Sequence, residues 1–242
     1  YVKEHIYRNG GVLNGKDLTR WYEGDGVTVR ALDQVSFEIL PGEFIVVLGP
    51  SGSGKSTMLN LMGGMDRPSE GELYYREQKI SDFTSEQLSD YRKDAVGFVF
   101  QFFHLIPTLT AKENVELAAS ITKGARSAGE VLELVGLSDR MKHFPSQMSG
   151  GEQQRVSIAR AIVKNPEILL CDEPTGALDS RNSIAVVKLL LEVRERLGCP
   201  VVTITHNAEM ARVADRVFHM KDGKIVRVET NRCPVAAEEL QW

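Results

Sequence analysis

The sequence predicts an α/β fold with a mostly parallel sheet, an N-terminal antiparallel β part and an inserted helical subdomain. Continuous apolar runs at 44–48, 168–171 and 201–205 have the pattern of strands buried on both faces. Helical segments fall between them, and strand–helix–strand alternation builds a parallel sheet. From about Phe102 to Asn165, in contrast, helices follow one another without a strand pattern.

Taken in order, the stretch Tyr1 to Gly15 is polar and glycine-dotted, and reads as a weakly ordered lead-in. The chain begins at Tyr1 rather than Met, so trimmed ends are expected. Between Leu18 and Ile39, Val27, Val29, Val35, Phe37 and Ile39 alternate with polar residues as half-buried strands do. Val96–Phe100 is a further strand. Thr110 with Glu113, and Ser127 with Glu130, have capping-box spacing and open helices in the insertion. A helix from Ser183 to Leu197 stops at Gly198 before Pro200. Val217 to Val226 is a hairpin turning at Asp222-Gly223. One domain is expected, with 15–101 and 166–230 as an α/β core and 102–165 as the helical subdomain.

Composition excludes several classes. Net charge is −4, so no basic field recruits nucleic acid. The three cysteines, Cys171, Cys199 and Cys233, lack metal-ligand spacing and suit a reducing compartment. No apolar run approaches the roughly 20 residues that cross a bilayer, so any membrane role is expected through a partner.

The chemistry starts directly after the first buried run. Gly49, Pro50, Ser51, Gly52, Ser53, Gly54, Lys55 and Ser56 match G-x-x-x-x-G-K-S/T between a strand and a helix. The glycines let the backbone turn tightly and aim its N–H groups at phosphate oxygens. The following helix adds its N-terminal dipole. Lys55 can reach β- and γ-phosphates, the Ser56 hydroxyl suits Mg²⁺, and Thr57 completes the phosphate-binding set. The loop reads as a P-loop, which leaves many nucleotide enzymes open.

The second run ends in two acids, Asp172 and Glu173. At the C-terminal edge of a parallel sheet, Asp172 would sit beside the P-loop and hold Mg²⁺. Glu173 would point to the γ-phosphate and polarise the attacking water. The third run ends in His206 on the same edge, where it can sense the γ-phosphate; otherwise it is structural.

Met148-Ser149-Gly150-Gly151-Glu152-Gln153-Gln154-Arg155 opens a helix running to about Lys164. Ser149 and Glu152 form a capping box. The paired glycines expose backbone N–H groups and permit close anion approach, a second anion site far from the P-loop.

At this segment the chain resembles the ABC ATPase family, whose signature reads L-S-G-G-E/Q-Q/R; Met148 replaces the leucine by a volume-conserving swap. The resemblance covers roughly Gly15 to Val228 and implies a P-loop NTPase core of the RecA-like kind. It assigns Gln101 to contact Mg²⁺ and the attacking water, and Asp179, in Thr175-Gly-Ala-Leu-Asp179, to the loop crossing a dimer interface. It makes His206 the switch histidine. Tyr22 falls where an aromatic stacks on adenine, with Trp21 as the neighbouring register and a core aromatic as the bland alternative. Gly97 to Val115 looks like the branch serving lipoprotein release, macrolide export and cell division.

The resemblance implies an ATP hydrolase in which two subunits sandwich two ATP molecules, the P-loop of one facing Ser149, Gly150, Gly151 and Glu152 of the other. It implies ATP and Mg²⁺ as ligands, and a second copy and an integral membrane permease as partners. It also implies a peripheral position on the cytoplasmic face of the cell membrane. The apolar stretch Phe102, Phe103, Leu105 and Ile106 is either a docking surface for the permease or core of the helical subdomain. Two other readings remain: a non-transport membrane complex driven by the same cycle, and a soluble ATPase acting on ribosomes or DNA. One cassette, with no heptad insertion and no cysteine cluster, argues against the last.

Overall fold

The computed structural model describes residues 10–24 and 26–242. In chain order the elements are β1 (Leu13–Gly24), β2 (Val27–Ile39), β3 (Phe44–Leu48), α1 (Lys55–Met62), β4 (Glu70–Tyr75), β5 (Gln78–Lys79), α2 (Ser85–Asp94) and β6 (Val96–Phe100). Then come α3 (Ala111–Ser120), α4 (Ala128–Leu134), α5 (Gly150–Ile162), β7 (Ile168–Asp172), α6 (Ser180–Leu197), β8 (Val201–Thr205), β9 (Arg216–Lys221) and β10 (Lys224–Thr230).

The main sheet has the order β10-β9-β3-β8-β7-β6, parallel throughout except for β10. Its central strands β3, β8 and β7 are buried on both faces because they serve two cores. Phe44 and Val46 of β3, Leu169 and Cys171 of β7, and Val201 of β8 face α3 to α6. Ile45, Val47, Leu170, Val202 and Ile204 face the other way, onto α1 and the smaller sheet. That sheet is antiparallel, in the order β2-β1-β4-β5.

Several sequence expectations change. β1 starts at Leu13, and Val12 and Leu13 are buried, so the ordered chain begins before Gly15; residues 1–9 of the expected lead-in lie outside the described residues. The Thr110–Glu113 capping box forms, but Ser127 makes no side-chain cap on α4. α6 begins three residues earlier than the apolar period shows, because Asp179 accepts from Asn182 N as its N-cap. The hairpin turns at Asp222 and Gly223 with φ of 48° and 75°, as expected. β9 also pairs in parallel with β3 and so joins the main sheet. Between 102 and 165 only helices occur, but they are not cored separately: α5 packs on both β6 and α6. Among the described residues no helix is long and apolar enough to cross a membrane.

Candidate functional site

The parallel order sets the site. β3, β7 and β8 are adjacent and point the same way, so the residues that follow them meet at one sheet edge. There a cavity of about 770 Å³ is lined by Ser51, Gly52, Gly54, Lys55, Ser56, Thr57, Asp172, Glu173 and His206, with Val29 to Ala31 of β2 at its side.

The P-loop glycines have separate reasons. Gly52 and Gly54 take φ of 77° and 100°, where an L side chain is strained. A Cβ on Gly54 would stand 2.4 Å from Ala31 O, and one on Gly49 would stand 2.5 Å from Met220 O. The loop can therefore lie tight against β2 and β9 only with glycine there. Lys55 is buried, and its Nζ donates to Gly49 O (2.7 Å) and Pro50 O (3.0 Å). Those carbonyls hold the ammonium beside the cavity, where an anion can claim it. Ser53 is buried behind the loop.

Glu173 follows β7 with a left-handed backbone, φ 46°, directly before Pro174. Its Oε2 accepts from Thr205 Oγ1 at 3.0 Å, and its Oε1 lies 2.9 Å from His206 Nδ1. Burial pushes the Asp172 carboxyl above its ordinary value, Glu173's charge adds to this, and Lys55 opposes it. Two acids with one cation between them form a site short of positive charge. Among the described residues no cluster of three metal-ligating side chains exists. Ser56 and Asp172 both line the cavity with oxygen atoms, and hard cations such as Mg²⁺ are held by one or two such oxygens together with phosphate and water.

Gln101 leaves β6 one residue past Phe100, which pairs with Asp172. It packs against the loop after Glu173: a Cβ on Gly176 would lie 2.8 Å from Gln101 Nε2. Tyr22 pairs with Val29 across β1 and β2, but its ring carries Arg20 at 4.5 Å and its hydroxyl donates to Asp66 at 2.8 Å. Trp21 pairs with Arg30.

Ser149 caps α5, and the reciprocal bonds with Glu152 are 3.2 and 2.7 Å. Gly151 has a packing reason that the anion argument overlooked. It is buried, and a Cβ there would collide with Asn182 Oδ1 at 2.1 Å. Asn182 Nδ2 in turn donates to Asp179 Oδ2. Ser149, Gly150, Gly151, Glu152 and Asp179 thus form one junction, and none of them lines the cavity of their own chain. Phe102 and Ile106 are exposed, whereas Leu105 packs on the core, so the expected apolar surface is about half of the stretch named. Thr205 and Gln154 were not singled out by sequence; adjacency to His206 and to the paired glycines was the signal available.

A protein-family model described as ABC transporter matches residues 32–176. An uncharacterised ABC transporter ATP-binding protein of Methanocaldococcus jannaschii, MJ0796, is 45% identical over 226 residues, covering 90% of this chain and 96% of that one. The lipoprotein-releasing system ATP-binding protein LolD of Idiomarina loihiensis is 40% identical, over 88% of this chain and 95% of its own. The macrolide export ATP-binding/permease protein MacB of Wolinella succinogenes is 45% identical over 87% of this chain, which spans 33% of that longer protein. A dimeric post-hydrolysis structure of the cassette MJ0796 bound to ADP and Pi matches with TM-score 0.82 at 43% identity, over 91% of this chain and 99% of that one. Sequence and fold agree over nine-tenths of the molecule, and the chain belongs to the ABC transporter family of ATP-binding proteins.

Proposed function

We propose that the chain is the ATP-hydrolysing subunit of an ABC transporter complex, working as a dimer of two copies that drives a membrane permease. The observation that carries the reading is the convergence of Lys55, Ser56, Asp172, Glu173 and His206 on one cavity. Ser56 and Asp172, with Gln101 alongside, would hold Mg²⁺, and the ion would neutralise charge on the phosphates. Lys55 and the backbone N–H groups of 51–57 bind the β- and γ-phosphates. Glu173 takes the proton of the attacking water, His206 faces the γ-phosphate, and Tyr22 offers its ring to adenine.

The other face of each nucleotide comes from the partner's Ser149 helix end, aided by the loop ending at Asp179. Support comes from the position of that helix end outside its own chain's cavity and from the dimeric state of the MJ0796 cassette. Closure passes to the permease through Gln101 and the helical insertion, where exposed Phe102 and Ile106 offer an apolar contact. A peripheral position on the cytoplasmic face of the inner membrane suits this reading, in line with the release and export/permease roles named for LolD and MacB. Net charge of −4 again argues against nucleic acid as partner.

Glu173→Gln tests the core of this. It is expected to keep ATP binding, to lose turnover by at least about 100-fold, and to accumulate as a dimer with ATP on sizing chromatography. Robust hydrolysis by that variant would remove Glu173 from its role. Pull-down from detergent extract separates the partner readings: a polytopic membrane protein supports the complex, while ribosomes or DNA overturn it.

A further inference from the structure

The signature helix is tied to the catalytic loops of its own chain by one side chain. Gln154 sits five residues past Ser149 on α5, about 7.5 Å along the axis, and is 0% exposed. Its Nε2 donates to Phe100 O at 3.1 Å and to Pro174 O at 2.5 Å. Phe100 immediately precedes Gln101, and Pro174 immediately follows Glu173. A single buried amide thus grips the backbone beside both residues expected to handle the attacking water.

The surroundings make this grip more than packing. Glu173, Phe103 and His104 all hold left-handed backbone, with φ of 46°, 54° and 50°. Such residues persist where their surroundings over-determine them. Farther along α5, Arg160 donates to Phe103 O and to His104 O. So α5 holds the strained 100–104 segment at two points and the Glu173 loop at one. The two loops also touch each other, where Gln101 lies on Gly176. Gln154 pays for its burial incompletely, since its Oε1 has no partner. A side chain kept only to fill volume is served better by an apolar residue of the same size.

We infer that Gln154 is a positioning residue: it sets Gln101 and Glu173 in register with the signature helix of the same chain. An α-helix moves as a unit over this short span. A shift of α5 when Ser149 meets a partner's nucleotide is therefore delivered to the chain's own hydrolytic carboxylate. This rests on the dimer reading proposed above.

The test uses the full chain with Gln154→Met, which keeps volume and removes both donors. Steady-state hydrolysis, ATP affinity and thermal midpoint are measured beside wild type, and the same change is placed in the Glu173→Gln background for sizing with ATP. Expected are a kcat at least about 10-fold lower, a KM within about 3-fold, and an ATP-dependent dimer that still forms. A kcat within about 2-fold of wild type overturns the inference. Loss of the dimer also overturns it, because it puts the effect of Gln154 at the signature face rather than at Glu173. Should Gln154→Met fail to fold, Gln154→Asn draws the amide back from both carbonyls, and the same split between kcat and KM is expected. Wild-type hydrolysis and Glu173→Gln dimerisation report separately on the functional reading, so failure of that reading is told apart from failure of this one.

Discussion

Glu173 is constrained from three sides: by Pro174 after it, by Thr205 Oγ1 on one carboxylate oxygen and by His206 on the other. The carboxylate is aimed in advance, and preorganised groups lose no reorganisation energy when charge develops. Thr205→Val keeps the shape of the strand residue and removes the donor. With Glu173 as the proposed base, hydrolysis is expected to fall about 10-fold, less than the roughly 100-fold or more that a general base supplies, with ATP binding unchanged; titration calorimetry and steady-state rates check the two halves. At Gly54 the constraint is steric. Gly54→Ala puts a Cβ 2.4 Å from Ala31 O at φ 100°, and is expected to cost about 1–3 kcal/mol of stability and most of the ATP affinity, read from thermal melts with and without nucleotide. Glu173 and His206 were legible in sequence because each ends an apolar run at a strand's C-terminal end. Thr205 was not, since a threonine inside such a run reads as a β-branched strand filler. Gly151 was legible as a special glycine, but its packing reason was not, because only the fold brings Asn182 against it.

At the scale of elements, the segments that sequence missed, α2, β4 and β5, are weak in local signal. α2 buries only Leu88 and Tyr91, so its apolar period is too thin to see, and its Thr84–Gln87 capping box is its main local signal. β4 and β5 are short and bend around a turn at Arg76 with φ 52°. The joint between α5 and β6 offers a titratable handle. Lys164, just beyond α5, donates through Nζ to Val96 O (2.7 Å) and Arg92 O (3.0 Å). Burial lowers its pKa from 10.5 to about 8. Between those values the native chain binds fewer protons at this site than the unfolded chain, so its contribution makes stability rise with pH through that window. Lys164→Met is expected to remove that rise, seen as a wild-type minus variant difference in chemical denaturation that grows from pH 8 to pH 10. A difference flat across this range would mean the amine is solvated. The C-terminal residues act as a second clamp. Ala237 and Leu240 are buried against the core that holds α6, Lys188 pairs with Glu238, and Gln241 N donates to Glu209 just after His206. Leu240→Ala is expected to cost about 2–4 kcal/mol, the usual range for a buried leucine.

At the scale of the whole molecule, the residues proposed to meet nucleotide lie in two places, and the second does not line the cavity that holds the first. The cavity at the sheet edge holds Lys55, Ser56, Asp172, Glu173 and His206. The Ser149 helix end belongs to a different junction, buttressed by Asn182 and Asp179. If a working site needs one half from each of two chains, hydrolysis per chain depends on how much of the protein is paired. Well below the dimer dissociation constant the paired fraction grows in proportion to protein concentration; well above it the fraction saturates. Specific activity at saturating Mg-ATP is therefore expected to rise with protein concentration and then level off. The midpoint should lie at or above the dimer constant obtained by sedimentation in the Glu173→Gln background, because that substitution is expected to hold the ATP-bound pair together. Glu173→Gln chains added to dilute wild type should change the rate through mixed pairs, which a self-sufficient monomer cannot do. A specific activity constant over two decades of concentration, with sedimentation showing monomer, would mean that the Ser149 end plays no part in hydrolysis and that one chain completes its site alone.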